Sequence, residues 1–487
     1  MASPNSSIKI HEHCHIAPPP TAAPSSHPLT FFDLAWLRFH PVERTFFYSF
    51  PFPHANNPSF FFEKVIPNLK TSLSLTLQHF LLLAGNIVWP SDSETPILQY
   101  TPGKDVGVSL LIAESEADFN HIVDNSPHEA ADSRSFVPHL ESFDTHASII
   151  SLQITHFPNK GFSIGISTHH AVLDGKSSTM FIKAWASLCH HQVVDEESQS
   201  SPSLVPELEP FLDREVIKDP TGLGLFFTKI WTEKLSKLFP TEQNSGRTLK
   251  ILPFPPQLED SVRATFEITR EDLEKIKKRV LSKWDDIDIA MNNEIPSYSK
   301  PHTLSSFVLT CAYVSVCIAK AIQGVESNKQ KFVFSFTTDC RGRLEEPVPN
   351  NYFGNCVWGE FVDTQPTDYI HEEGVVIVAK NIHNKIKKML EKGVLEGVSD
   401  MFSTYASLQS EGIERIGIAG SNRFGVYGID FGWGKPAKVE IPSIDRGLTF
   451  GIADSKDGKG GIEVGLVLNK HVMDIFKTLF NAGLCID

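Results

Sequence analysis

The sequence predicts a mixed α/β (α+β) chain in two halves, and three observations carry that expectation. Strand and helix periods alternate along both halves. Leu152, Ile154 and His156 recur every second residue, as do Phe162, Ile164, Ile166, Thr168 and His170, whereas Phe181, Ile182, Trp185 and Leu188 form a helical stripe. Second, the stretch Val193 to Val216 is acidic and rich in Ser and Pro, the composition of a long connection. Third, 487 residues allow about two to four domains, and no repeat of fixed period divides the chain further. The expected division is 1–200, a crossover segment 201–240, and 241–487.

Taken in order, Ile8 and Ile10 begin a strand-like alternation, and Asn68 to Leu83 reads as a helix. Ser151 to His170 reads as a hairpin that turns at Pro158-Asn159-Lys160-Gly161. Parity places His170 on the apolar face of its strand and His169 on the other. Asp174-Gly175 breaks that strand and opens a helix. Ala264–Ile268, Lys331–Thr337 and Gly461–Leu468 read as strands, Phe307–Ile322 as an apolar helix, and Trp284–His302 as an insertion loop.

Composition excludes several classes of function. Hydrophobic residues at 41% and charged residues at 21% exclude wholesale disorder. Lys plus Arg is 44 and Asp plus Glu is 58, a balance of −14 that disfavours nucleic acid and anionic lipid as partners. The longest apolar stretch has 16 residues and includes Thr310, Ser315 and Lys320, short of the ~20 needed to span a bilayer, so no membrane insertion is expected. The first twenty residues lack a basic segment followed by an apolar one. The seven Cys are scattered and odd in number, which fits a reducing, cytoplasmic location. The 35 Phe, against 8 Tyr and 7 Trp, require a large apolar contact area in a core or along a pocket.

Four motif matches fail on context. His11-Glu12-His13-Cys14-His15 has the H-E-x-x-H order of a zinc site, but that site needs a helix and this segment alternates like a strand. Gly161-Phe162-Ser163-Ile164-Gly165 matches a nucleophile elbow, yet Ser163 sits inside a strand. Asp430-Phe431-Gly432 matches a kinase triplet without the other kinase motifs. H-x-x-x-D occurs three times, at His128/Asp132, His170/Asp174 and His191/Asp195. Only His170 ends an apolar-faced strand and precedes a Gly-started helix. An imidazole there suits a general base at neutral pH. Asp174 is placed either to cap the helix at Gly175 or to pair with a distant Arg, for which Arg341 and Arg343 are candidates.

His170-Ala171-Val172-Leu173-Asp174-Gly175, followed about 260 residues later by Asp430-Phe431-Gly432-Trp433-Gly434, resembles the BAHD family of plant acyl-CoA-dependent acyltransferases. The likeness runs from Leu29-Thr30-Phe31-Phe32-Asp33 almost to the end. Tyr352-Phe353-Gly354-Asn355-Cys356 resembles the subgroup that acylates sugars on anthocyanins, flavonoids and phenolic glucosides. The resemblance implies two chloramphenicol-acetyltransferase-like domains with mixed sheets, joined by a long crossover loop around a channel. It makes His170 the base, pairs Asp174 with Arg341 away from the chemistry, and makes Asp430 to Gly434 structural.

It further implies a malonyl-CoA-dependent O-malonyltransferase acting on a sugar hydroxyl (glucose 6-OH) of a flavonoid or phenolic glucoside. The implied enzyme is a monomer with no metal, no resident cofactor and no covalent acyl intermediate. Similar malonyl-transferring sequences tend to carry Arg or Lys at the position of Lys183, and Lys176 lies on the same helical face. Ser305 and Ser306 open a helix where the family places CoA contacts. Arg263 is a further CoA candidate, and Ser421 is placed to contact acyl group or acceptor. Ser315 departs from relatives that have Trp after Ala-Tyr-Val. The Phe excess keeps a hydroxycinnamoyl-CoA donor as the alternative. A serine esterase using Ser163 and a non-catalytic binding protein are the rivals from other classes.

Overall fold

Three β-sheets organise the described residues of the computed structural model, which are 8–50, 58–194, 203–235, 246–253, 260–291, 299–325, 331–362 and 364–485. The first sheet has the spatial order Lys9–Ile16, Val108–Glu114, Ile150–Phe157, Gly161–Thr168, Val42–Ser49, Lys438–Glu440. The second runs Val357–Phe361, Lys331–Asp339, Ile413–Gly420, Thr449–Asp454, Ile462–Asn469, Ser261–Ile268, His128–Glu129. A small sheet joins Ser25–Pro28, Ile97–Tyr100, Asn86–Val88 and His146–Ser148. Both large sheets mix parallel and antiparallel pairs. Each also takes its last strand from the other half of the chain: Lys438–Glu440 pairs with Val42–Ser49, and His128–Glu129 pairs with Ser261–Ile268.

The hairpin pairs Gly161 with Phe157 and Thr168 with Ile150, and Asn159 adopts a positive φ of 62° in its turn. Both faces of it are buried. Leu152, Ile154, Phe162, Ile164 and Ile166 join the first core. On the other face two buried polar side chains find main-chain partners, while the Ser163 hydroxyl has none among the described residues. Gln153 Nε2 donates to the Ser135 carbonyl at 2.8 Å, and Ser167 Oγ donates to the Pro138 carbonyl at 2.6 Å. Ser163 is fully buried in the middle of this sheet, with no turn to a helix beside it. His11 to His15 likewise lie on a strand, where four residues span about 13 Å and cannot converge on one ion.

Helices cover each large sheet. Ile66–His79 and Gly175–Val194 pack together over the first. Ser306–Val325 is flanked by Gly374–Lys392 and Lys470–Leu484 over the second. Ser306–Val325 has the length and hydropathy of a membrane span, but 78% of its most apolar stretch is buried. Its Ser315 is buried and returns its hydroxyl to the Ala312 carbonyl at 3.2 Å. The Phe residues divide between the cores: Phe31, Phe32, Phe46, Phe80 and Phe353 sit in the first, and Phe332, Phe334, Phe450 and Phe476 in the second.

Two expectations change. Trp284–His302 does not begin as a loop: Trp284–Met291 is a helix, and 292–298 lie outside the described residues. Trp284 and Ile287, three apart, bury against the second core, and Asp285 and Asp286 favour the first turn. The second hairpin strand ends at Thr168, so His169 and His170 belong to the turn after it. Parity fails there: His169 is the fully buried one, and its Nδ1 accepts from the Ala171 amide at 3.2 Å.

Candidate active site

His170 leaves the strand end half-buried and is held on two sides by rings. The Trp36 indole stacks on its imidazole with centroids 4.4 Å apart and planes 10° from parallel, and Phe39 meets its edge at 6.2 Å. Nδ1 is buried without a hydrogen-bond partner, which leaves Nε2 as the accessible nitrogen. Burial pushes the imidazole pKa down to about 4, so the ring is neutral near pH 7 and has a lone pair to accept a proton. Trp36 and Phe39 were not singled out in the sequence. The available signal was two aromatics following Leu29–Asp33, on a chain segment that also supplies the buried Asp33.

Asp174 does not touch the imidazole. Its Oδ1 accepts from the Ser177 amide at 2.8 Å, which caps the helix Gly175–Val194, and its carbonyl accepts from Ser178 N at 2.9 Å. Its Oδ2 pairs with Arg341 Nη2 at 2.8 Å and accepts from the Cys356 amide at 3.1 Å. The cap and the ion pair, which the sequence offered as alternatives, are both made. Burial alone would pull Arg341 down, but Asp174 and Asp339 hold it charged. Arg343 is exposed and turns to the Asp339 carbonyl.

The segment Tyr352 to Cys356 clasps this turn from the second half of the chain. Tyr352 lies under the Arg341 guanidinium at 5.7 Å, and its carbonyl accepts from Arg341 Nη2 at 3.1 Å. Phe353 packs edge-on against Phe80, and its amide donates to the Phe211 carbonyl at 2.9 Å. The Gly354 carbonyl accepts from Ser177 Oγ at 2.9 Å and from Arg341 Nη2 at 3.0 Å. Asn355 Nδ2 donates to the His170 carbonyl at 2.8 Å and to Asp33 Oδ1 at 3.1 Å. Asp33 in turn pairs with the buried Arg214, a residue of the expected crossover segment.

Asp430 to Gly434 lie elsewhere. Asp430 Oδ1 accepts from the Gly432 and Gly434 amides at 2.7 and 3.0 Å and faces His190 Nδ1 at 3.7 Å. His190 is fifteen residues past Gly175, about 22 Å along a straight helix. Phe431 packs edge-on against Trp185, and Trp433 against Phe162.

Of the remaining candidates, Arg263 and Ser421 line one recess and Ser306 another, while Lys183 and Ser305 line neither. The first is lined by Arg44, Arg263, Ser421 and Phe424 among others. Arg263 Nη1 and Nη2 donate to the carbonyls of Ile441 and Pro442, both at 3.1 Å, so its guanidinium is committed to the chain. Ser421 Oγ accepts from the Arg423 amide at 3.2 Å. Lys183 is half-buried, and burial lowers its pKa against the opposing field of Asp454. Lys176 does not join it: its Nζ meets Asp339 Oδ2 at 3.4 Å and also reaches Asn350. The second recess is lined by Ser306, Arg270 and Lys277 among others. Ser305 Oγ accepts from Val308 N at 3.3 Å as a helix cap, and Ser306 Oγ accepts from Asn422 Nδ2 at 3.3 Å.

A histidine with a free nitrogen, fixed by rings and main-chain clasps, can deprotonate a hydroxyl held beside a thioester. Cys356, the thiol of the clasp, is buried, and burial raises its pKa, which makes it a poor nucleophile. The chain is 38% identical over 485 residues to phenolic glucoside malonyltransferase 1 of Arabidopsis thaliana, covering 98% of each. It is 36% identical to malonyl-CoA:anthocyanidin 5-O-glucoside-6''-O-malonyltransferase of the same plant, covering 99% of this chain and 100% of that one. Among solved structures, vinorine synthase shares the fold with a TM-score of 0.65 at 18% identity, covering 96% of each chain. The pattern of the Transferase family matches residues 16–482, so the chain belongs to that family, the BAHD acyl-CoA-dependent acyltransferases.

Proposed function

We propose that the protein moves malonyl from malonyl-CoA to a sugar hydroxyl of a phenolic or flavonoid glucoside, with His170 as general base. The observation that carries the chemistry is the neutral His170 ring, with Nε2 accessible and its main chain clasped by Asn355. The donor and acceptor classes are supported by the names of the full-length relatives and by Lys183, a half-buried cation available to a free carboxylate.

In the proposed reaction Nε2 takes the proton of the sugar hydroxyl as its oxygen attacks the thioester carbonyl. The tetrahedral oxyanion collapses, the C–S bond breaks, and the CoA thiolate takes the proton back from the imidazolium. General base catalysis supplies about 10²–10⁴-fold, and holding both substrates in place supplies more. Glucose 6-OH is the proposed position, and a cytoplasmic monomer the proposed form.

The test is mass spectrometry of a phenolic glucoside incubated with malonyl-CoA. A gain of one malonyl unit with the native protein, absent with His170→Ala, is expected. Full turnover in His170→Ala would remove the proposed base. The wall of Trp36 and Phe39 beside His170 favours a second reading, an aromatic acyl donor such as hydroxycinnamoyl-CoA. A panel of acyl-CoA donors on one glucoside separates the two.

A further inference from the structure

Among the described residues Arg44 is a buried cation that forms no ion pair with a carboxylate. It lies on the strand Val42–Ser49, opposite Ile166, and is 8% exposed. Its Nη1 donates to Thr179 Oγ1 at 2.7 Å, and its guanidinium lies over the Phe424 ring at 5.8 Å. Among the described residues it has no ion pair. Buried Arg214 pairs with Asp33 and buried Arg341 with Asp174, whereas buried Arg38 donates to the Lys250 carbonyl. Burying a guanidinium without a counter-charge is costly, so an uncompensated one that opens onto a cavity points to an anion supplied from outside.

The surroundings define that anion. Arg44 and Phe424 line the first recess together with Ile441, Ile444 and Ile452, and with Arg263, Glu440 and Glu463. Lys183 lies one turn beyond Thr179 on the same helical face, and its Nζ comes within 3.3 Å of the point where a side chain on Gly425 would begin. Lys183 has no ion pair among the described residues either. Asp454 acts on both cations without pairing with either, and its Oδ1 is occupied by the Val426 amide at 2.9 Å. The Glu440 and Glu463 carboxylates of the recess are engaged within the chain, Glu440 by Arg263 Nε at 3.9 Å and Glu463 by the Tyr427 hydroxyl, so Arg44 and Lys183 are left to meet a single carboxylate from outside. A guanidinium presents a planar fork that matches a carboxylate.

The recess is also near the chemistry. Phe424, which underlies Arg44, comes within 3.0 Å of where a Cβ on Gly175 would sit, and Gly175 starts the helix that follows the His170 turn. Thr179 is four residues on, about 6 Å along the axis. We propose that Arg44, anchored by Thr179 and assisted by Lys183, binds the free carboxylate of a dicarboxylic acyl donor and so sets donor specificity. This rests on the malonyl reading above.

The experiment compares malonyl-CoA with acetyl-CoA as donors to one phenolic glucoside, for the native protein, Arg44→Gln, Arg44→Lys and Thr179→Val, with folding checked by circular dichroism. Arg44→Gln should lower kcat/KM for malonyl-CoA by about 10- to 100-fold, the loss of charge-assisted hydrogen bonds, and lower it far less for acetyl-CoA. Arg44→Lys should restore part of the preference. Thr179→Val should weaken it in the same direction, and it serves should Arg44→Gln fail to fold. Equal losses with both donors, or a loss of affinity for free CoA, would overturn the subsite. A native protein that transfers an aromatic acyl group and not malonyl overturns the proposed function instead. A native protein that uses malonyl while Arg44→Gln keeps its donor preference overturns only the subsite.

Discussion

Asn355 donates its side-chain amide to the main-chain carbonyl of His170 at 2.8 Å. Through this bond the second half of the chain fixes the backbone that carries the proposed base. The same Nδ2 and the Asn355 amide both donate to Asp33 Oδ1, at 3.1 and 3.2 Å, while Asp33 Oδ2 accepts from Thr30 N at 2.8 Å and pairs with Arg214. One buried carboxylate therefore ties the N-terminal segment, the crossover segment and the Tyr352–Cys356 clasp to the turn of His170.

Asn355→Ala removes both donations and leaves the His170 carbonyl and Asp33 without them. A small displacement of the base should cost about 10²-fold in kcat, with a smaller change in KM for either substrate. Asn355→Asp has no amide to donate and should be no better. Steady-state kinetics with both substrates varied decides this, and a variant with native kcat would show that the turn holds its shape without the clasp.

Arg341 and Asp174 form a buried pair whose members are also hydrogen-bonded to Cys356, Ser177 and the carbonyls of Tyr352 and Gly354. Removing one partner strands the other. Arg341→Met should cost about 3–5 kcal/mol of stability, and Asp174→Asn about as much, while the double variant should be less destabilised than the sum of the two. Denaturant unfolding measures all three. Additive losses would mean that the pair itself contributes no coupling.

His169 and His170 have pKa values pushed down by burial, to about 3 and about 4, below their ordinary value of 6.5. Two consequences have opposite looks. The folded protein keeps both rings neutral as pH falls, so kcat/KM should stay level through pH 6.5 and lose its base only as pH nears 4. The unfolded chain binds protons from about 6.5 downward, so stability should already fall between pH 6.5 and 4. A pH–rate profile and a melting series over pH 4–8 test the two together. A break in kcat/KM at 6.5 would show that the imidazole titrates as a free one.

The first half of this arrangement was legible because its signals are local. The alternation of Leu152 to Thr168, the break at Asp174-Gly175 and the stripe from Phe181 to Leu188 each lie within a short window and fold as their period dictates. The turn at His169 and His170 was not, because a strand's end is set by what packs on it. The clasp was only half legible. Tyr352–Cys356 stood out as a motif, but its bonds to His170, Asp33 and Ser177 join residues 177 to 322 positions apart. Arg44 was invisible for a different reason: its sequence neighbours give no sign of a cavity that opens between a strand, a helix and the Ser421–Val426 loop.

Asp430 offers the sharpest separation of a structural motif from a chemical one. Its Oδ1 accepts from the Gly432 and Gly434 amides, and both glycines hold positive φ, 107° and 103°. A Cβ on Gly432 would come within 2.8 Å of Val193 Cβ, at the far end of the helix that His170 precedes. Asn keeps an acceptor oxygen in the place of Oδ1, so Asp430→Asn should retain most activity and most stability. Asp430→Ala strands two amides and should cost about 1–3 kcal/mol. Gly432→Ala adds backbone strain of about 1–3 kcal/mol to its contact with Val193, and should lower the melting temperature with little change in KM of the folded fraction. A carboxylate that took part in the chemistry would reverse this order. Asp430→Asn would then lose turnover at native stability, and that single result would move Asp430 from the scaffold into the mechanism.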